Sequence, residues 1–142
     1  MAHNTRAKAL ASFLECDVSD VKATTYDPHL FEAPGRAEYL VLTDREAERR
    51  ALDATRESLW AFNTSFLARY VPCLADKSAA KAFDTMRGTL CESANPLVEG
   101  MLGRSLARCV KDAVSEDGRG HVLSGYDGRE HEAGRYYIYR CN

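Results

Sequence analysis

Residues 124–142, SGYDGREHEAGRYYIYRCN, hold the densest group of side chains that could do chemistry. Asp127, Glu130, His131 and Glu132 fall within six positions, and Tyr136, Tyr137 and Tyr139 follow closely. These acids, with His121 or His131, are the donor types that a divalent cation takes. Calcium asks for about six or more oxygens, and an EF-hand spaces its acids at alternate positions before a distal Glu. The stretch YDGREHE has no such register. His131-Glu132 also lacks the second histidine four residues from the first that a zinc protease helix carries. The favoured reading is a solvated hairpin tip, with Tyr-Asp-Gly opening the turn and Gly134 permitting the return. A small metal-dependent enzyme built on His121, His131 and the neighbouring acids stands as the third alternative.

Other chemistries find less. An activated Ser or Cys needs a histidine beside it. The chain has only His3, His29, His121 and His131, and no GxSxG elbow. The glycines of GRG (118–120) and GMLG (100–103) lack the lysine of a phosphate-binding loop, and no predicted strand leads into them. No catalytic residue, metal site or cofactor is assigned, so a binding protein rather than an enzyme is expected. Arg104, Arg108 and Lys111 form an unneutralised basic stripe, the best candidate for an anionic partner. Together with the C-terminal tyrosines it supports the second alternative, a nucleic-acid-binding accessory protein. The tyrosines themselves suit a strand whose one face packs while the other meets solvent or a partner. The acids at 127, 130 and 132 oppose a base-stacking platform, which needs basic neighbours.

The elements that must position these residues are legible in outline. Ala7, Leu10, Ala11 and Leu14 recur at helical spacing behind Asn4 as N-cap, and Asp17 to Asp20 reads as a turn. HLFEA (29–33) and AEYLVL (37–42), separated by Pro34-Gly35-Arg36, predict a hairpin. Thr43 and Glu46 have the spacing of a capping box. They open a long amphipathic helix through Leu52, Thr55, Leu59, Phe62 and Phe66, which Asn63-Thr64-Ser65 breaks or re-caps. Its outer face alternates Arg45, Glu48, Arg49, Asp53, Arg56 and Glu57. Trp60 and Phe62 are assigned to the core. Ala79, Phe83, Met86 and Leu90 mark the next helix. Asn95-Pro96 starts another, with Asn as cap, and Leu106, Cys109, Val110, Ala113 and Val114 mark the last. HVLS (121–124) and RYYIYR (135–140) are read as the strands of a C-terminal hairpin. An isolated hairpin is barely stable in water. The two hairpins are therefore expected in one antiparallel sheet against about four or five helices, a single α+β domain over residues 1–142.

The whole chain narrows the function classes. With 142 residues it can bury a core without disulfides or metal. A net charge of −2 argues against a general nucleic-acid binder. The apolar runs are far below the length of about 20 residues that a membrane span needs, and the N-terminus has no apolar signal core. The cysteines, Cys16, Cys73, Cys91, Cys109 and Cys141, are odd in number and hold no CxxC pair. They read as reduced, mostly packed thiols in a cytoplasm.

Two segments, EYLVLTDREAERRALDATRESLWAF (38–62) and DGRGHVLSGYDGREHEAGRYYIYRCN (117–142), resemble small accessory proteins of tailed bacteriophages and prophages. The likeness lies in a strand running into LTD, a helix ending in SLWAF, a YDG…E turn and a closing YYIYR strand, over about a third of the chain. This chain departs from that pattern in the arginines of its helix, Arg45, Arg49, Arg50 and Arg56. The resemblance carries no active site. It implies a stoichiometric inhibitor of host defence machinery in the bacterial cytoplasm, foremost an anti-CRISPR protein that binds a CRISPR–Cas effector, with anti-restriction proteins the other class. The expected partner is a host protein complex, and the contact residues assigned are Tyr126, Asp127, Arg129, Glu130 and Glu132. A free sheet edge at the C-terminal strand leaves room for a homodimer.

Overall fold

The computed structural model describes residues 2–142, with side chains from Asn4 onward. Its sheet has five strands: β1 (Lys22–Ala23), β2 (Leu30–Glu32), β3 (Glu38–Thr43), β4 (His131–Ala133) and β5 (Tyr136–Arg140). They lie in the order β1-β2-β3-β5-β4, every pair antiparallel. The N-terminal and C-terminal hairpins thus share one sheet, joined where β3 pairs with β5 and Leu40 meets Tyr139.

The run EYLVLT makes a central strand because both of its faces are apolar. Tyr39 and Val41 join Phe31, Tyr136 and Ile138 on one face, covered by Leu10 and Ala11 of α1 (Ala2–Leu14). Leu40 and Leu42 join Tyr139 on the other, covered by Ala47 of α2 (Asp44–Glu57). Both faces of β5 are therefore packed, where the sequence suggested one wet face. Fully burying an aliphatic side chain such as Leu10, Leu42 or Ile138 contributes roughly 1.5–3 kcal/mol. The capping box forms as expected. The Thr43 N–H donates to Glu46, and the Glu46 N–H donates to the Thr43 hydroxyl.

The remaining helices are α3 (Thr64–Leu67), α4 (Lys77–Leu90), α5 (Asn95–Leu102), α6 (Leu106–Asp117) and α7 (Arg119–Leu123). The chain divides into two compact units, one from the N-terminus to Ala51 together with Asp117–Asn142, the other Leu52–Glu116. The second is all helical. Leu59, Leu67, Tyr70, Leu74, Phe83, Val98, Leu102 and Cys109 form its core, and Trp60 and Phe62 pack half-buried against it. Asn63 re-caps the chain by accepting from the Ser65 N–H. Among the described residues no helix is long and apolar enough to cross a membrane.

Some local expectations give way. HVL closes α7, with Ser124 as its C-cap, rather than forming a strand, and the hairpin partner of β5 is HEA (131–133), which lies in the expected loop. Asn4 lies inside α1, which already begins at Ala2. Asn95 is not a cap. Its side-chain carbonyl accepts from the Trp60 N–H and its amide donates to the Arg56 carbonyl, which ties α5 to the turn after α2. Of the thiols only Cys109 is fully buried. Cys73 and Cys91 are exposed, and all five cysteines are free.

Candidate functional site

The C-terminal loop 124–130 is fixed from below. α7 begins after Gly118, whose φ of 84° suits glycine, and runs under the loop. Gly120 is buried, and a Cβ there would sit 2.6 Å from the Gly128 carbonyl oxygen and 2.8 Å from the Glu130 nitrogen. Only a glycine lets the loop rest on the helix so closely. The buried Ser124 hydroxyl donates to the Arg140 carbonyl at 2.7 Å and lies 2.9 Å from Asp127 Oδ1. Asp127 in turn accepts from the Arg129 backbone N–H at 3.0 Å, an Asx turn. That N–H, and then Ser124, hold the Asp127 carboxyl below its usual pKa.

Tyr126 projects from this frame. Its N–H donates to the Arg140 carbonyl, and its ring lies 3.7 Å from the Arg140 guanidinium while remaining 57% exposed. Arg129 and Glu132 are exposed, and among the described residues their side chains have no ion-pair or hydrogen-bond partner. The structure therefore brings Tyr126, Asp127 and Arg129 onto one loop, with Glu132 on the adjoining strand β4.

Glu130 is employed differently. It pairs with Arg119 at 2.9 Å and accepts from the Tyr139 hydroxyl. Arg119 also donates to Asp44 at 2.8 Å and lies over the Tyr137 ring. Burial opposes the Arg119 charge, but the bonds to Glu130 and Asp44 outweigh it and hold its pKa above the usual value. Burial, then Glu130, push the Tyr139 phenol well above its ordinary range. Glu130 thus locks the hairpin to the start of α2 before it can serve a partner.

The other candidates are dispersed. His131 is half-buried with its ring against Phe13, at 5.0 Å between centroids, and His121 is exposed. His3 falls outside the described side chains. Among the described residues no group of three or more His, Cys, Asp or Glu side chains could hold a metal ion. Arg104, Arg108 and Lys111 are exposed in the helical unit, with Arg108 over the Tyr70 ring. Tyr136 and Tyr139 belong to the other unit and are 4% and 0% exposed, so neither can stack on a base.

One cluster was not read from the sequence. Arg6 donates to Glu46 through both terminal nitrogens, at 2.6 and 2.7 Å, and to the Val41 carbonyl at 2.8 Å. His29 lies 3.7 Å from Glu46, and Arg50 donates to Asp27 and faces the His29 ring. Burial, then the Arg6 charge, hold His29 below its usual pKa and favour the neutral imidazole. The capping box marked Glu46, but nothing local marks an arginine forty residues earlier as its partner. The cluster's charges are mutually satisfied, which makes it a clamp between α1 and α2. No protein-family model, curated protein or solved structure matches the chain.

Proposed function

We propose that this chain acts by stoichiometric binding to a protein, and that the C-terminal loop carrying Tyr126, Asp127 and Arg129, with Glu132 beside it, is the contact surface. The observation that carries this reading is Tyr126, exposed yet held under Arg140 on a loop braced by Ser124, Gly120 and Asp127. Tyrosine and arginine are among the residues enriched at the energetic centres of protein interfaces. A ring already ordered loses little conformational freedom on binding, so more of its contact energy appears as affinity. Glu130 serves the surface from within by anchoring the loop to Arg119. The partner class follows from the resemblance to phage accessory proteins: a bacterial defence complex, foremost a CRISPR–Cas effector, which the protein inhibits by occupying a surface in the host cytoplasm.

The test is affinity capture. Lysate of a bacterium with active CRISPR–Cas and restriction systems is passed over the immobilised protein and over a Tyr126→Ala, Arg129→Glu variant. The expected result is a defence subunit retained in stoichiometric amount through high salt. The variant should bind it weaker by roughly thirtyfold or more, the loss of about 2 kcal/mol typical of a hot-spot residue. A column that retains only nucleic acid would turn attention to Arg104, Arg108 and Lys111. Equal capture by both proteins would remove the loop from the contact.

A further inference from the structure

We propose that His29 is a proton-operated latch: protonation of its ring expels Arg50 and releases the turn 24–29 from α2. The turn is built on Asp27. Its carbonyl accepts from the Leu30 N–H at 3.2 Å and from the Thr24 hydroxyl at 2.8 Å, and its Oδ1 accepts from the His29 N–H at 2.9 Å. One nitrogen of Arg50 fastens this turn to α2. The same Nη2 lies 3.0 and 2.9 Å from the two Asp27 carboxylate oxygens and 3.4 Å from His29 Nδ1. A guanidinium nitrogen only donates, so Nδ1 accepts. The proton of the neutral imidazole therefore sits on Nε2, 3.7 Å from Glu46 Oε1.

A second ring proton would sit on Nδ1 and face Arg50 Nη2, donor against donor. Both neighbouring carboxylates are already engaged. Glu46 is held by the two terminal nitrogens of Arg6 from α1, and Asp27 by Arg50. Two guanidiniums thus balance two carboxylates around the ring, and its protonation leaves one positive charge in excess. The Cys141 thiol, which feels Asp27 and Arg50, adds no charge, since burial pushes its pKa up. The Arg50 nitrogen that must leave His29 also holds Asp27, so relief of the repulsion loosens the turn. The sign follows from linkage. The closed turn favours the neutral ring, whereas in the open turn His29 regains its ordinary value of 6.5. The open form therefore binds the proton more readily, and opening is favoured as pH falls below 6.5. Glu46, at about 2, stays ionised through that range and keeps Arg6 in place.

Amide hydrogen exchange at Thr24 and Leu30 tests this, at about pH 7.5 and about pH 5, read as protection factors that remove the intrinsic pH dependence of exchange. Protection should fall at the lower pH by roughly threefold to thirtyfold. The ceiling is that of a histidine which titrates at 6.5 when open and not at all when closed. Amides of Leu67 and Val98 in the helical unit should keep theirs. His29→Gln offers Arg50 a side-chain oxygen and takes up no proton, so it should abolish the fall. An equal fall in His29→Gln, or none in the wild type, would overturn the latch. Should that variant fail to fold, the wild-type ring decides by its chemical shifts. Titration of His29 below 6.5 supports the latch, and titration at or above 6.5 overturns it. None of these groups lies in the 124–130 loop, so the outcome is independent of the protein-binding reading.

Discussion

Arg6 takes a full charge into the junction of α1 with the sheet at only 6% exposure. Such a charge is tolerable only when its partner is ionised and hydrogen-bonded. Glu46 meets both conditions, and its bonds to Arg6, opposed by burial and aided by the Thr43 N–H, hold its pKa at about 2 against an ordinary 4.5. As pH falls, the unfolded chain takes up this proton first. The stabilisation is therefore complete above pH 4.5 and is lost progressively toward pH 2. At about 1.4 kcal/mol per pKa unit, discounted for partial exposure, the effect is on the order of 2 kcal/mol. His29 adds a term of the same sign at higher pH, because its neutral form is favoured in the fold. Urea denaturation at about pH 6 and about pH 3 should show wild type losing more stability than Glu46→Gln over that interval. Parallel losses in the two proteins would mean that the Arg6–Glu46 pair contributes nothing to acid stability.

Among the elements, α7 decides whether the proposed contact loop keeps its shape. Helix propensity alone favours Ala over Gly by about 1 kcal/mol, so Gly120→Ala on an open helix would stabilise. Here the new Cβ would meet the backbone of residues 128–130, which no side-chain rotation relieves. The opposite sign is expected, a destabilisation of about 1–3 kcal/mol as for overpacking elsewhere. It should appear as a lowered denaturation midpoint, together with shifted amide resonances at Arg129 and Glu130. A midpoint at or above wild type would show that the loop yields freely and is not held rigidly on α7. The same element marks the limit of sequence reading. HVLS resembles a strand by composition, and its helical state follows from Gly118 and from close packing of Gly120 against residues distant in the sequence. β4 was hidden for a related reason, since HEA has no apolar alternation and is a strand because β5 lies beside it. β3 and the start of α2 were legible because an apolar run and a capping box act locally, whereas α2 stops at Glu57 and leaves Leu59, Phe62 and Phe66 in the turns and short helix that follow. Tyr126, Asp127 and Arg129 could be picked out by type. The Arg140 stack that orders Tyr126 and the Arg119 pair that occupies Glu130 arise only from the tertiary fold.

For the molecule as a whole, the two units differ in how far apart in sequence their contacts lie. The sheet is closed by β3 against β5, segments far apart in the sequence, and by α1 laid over both. Its core cannot form until the C-terminal hairpin has been supplied, and such long-range pairing is entropically costly until the contacts are made. The unit Leu52–Glu116 draws its core from consecutive helices, with Leu59, Leu67, Phe83, Val98 and Cys109 all inside that span. A chain truncated after Arg135 loses Tyr136, Ile138 and Tyr139, which supply buried side chains to both faces of the sheet. Hydrogen exchange on it should show amides of β2 and β3 unprotected, while those around Leu67, Phe83 and Val98 keep most of their protection. Loss of protection throughout would instead mean that the helical core depends on the sheet and that the chain folds as one cooperative unit. Retained protection in β3 would mean that the N-terminal hairpin and α1 suffice to hold it. In that case the β3–β5 pairing would serve to present the C-terminal loop rather than to stabilise the sheet.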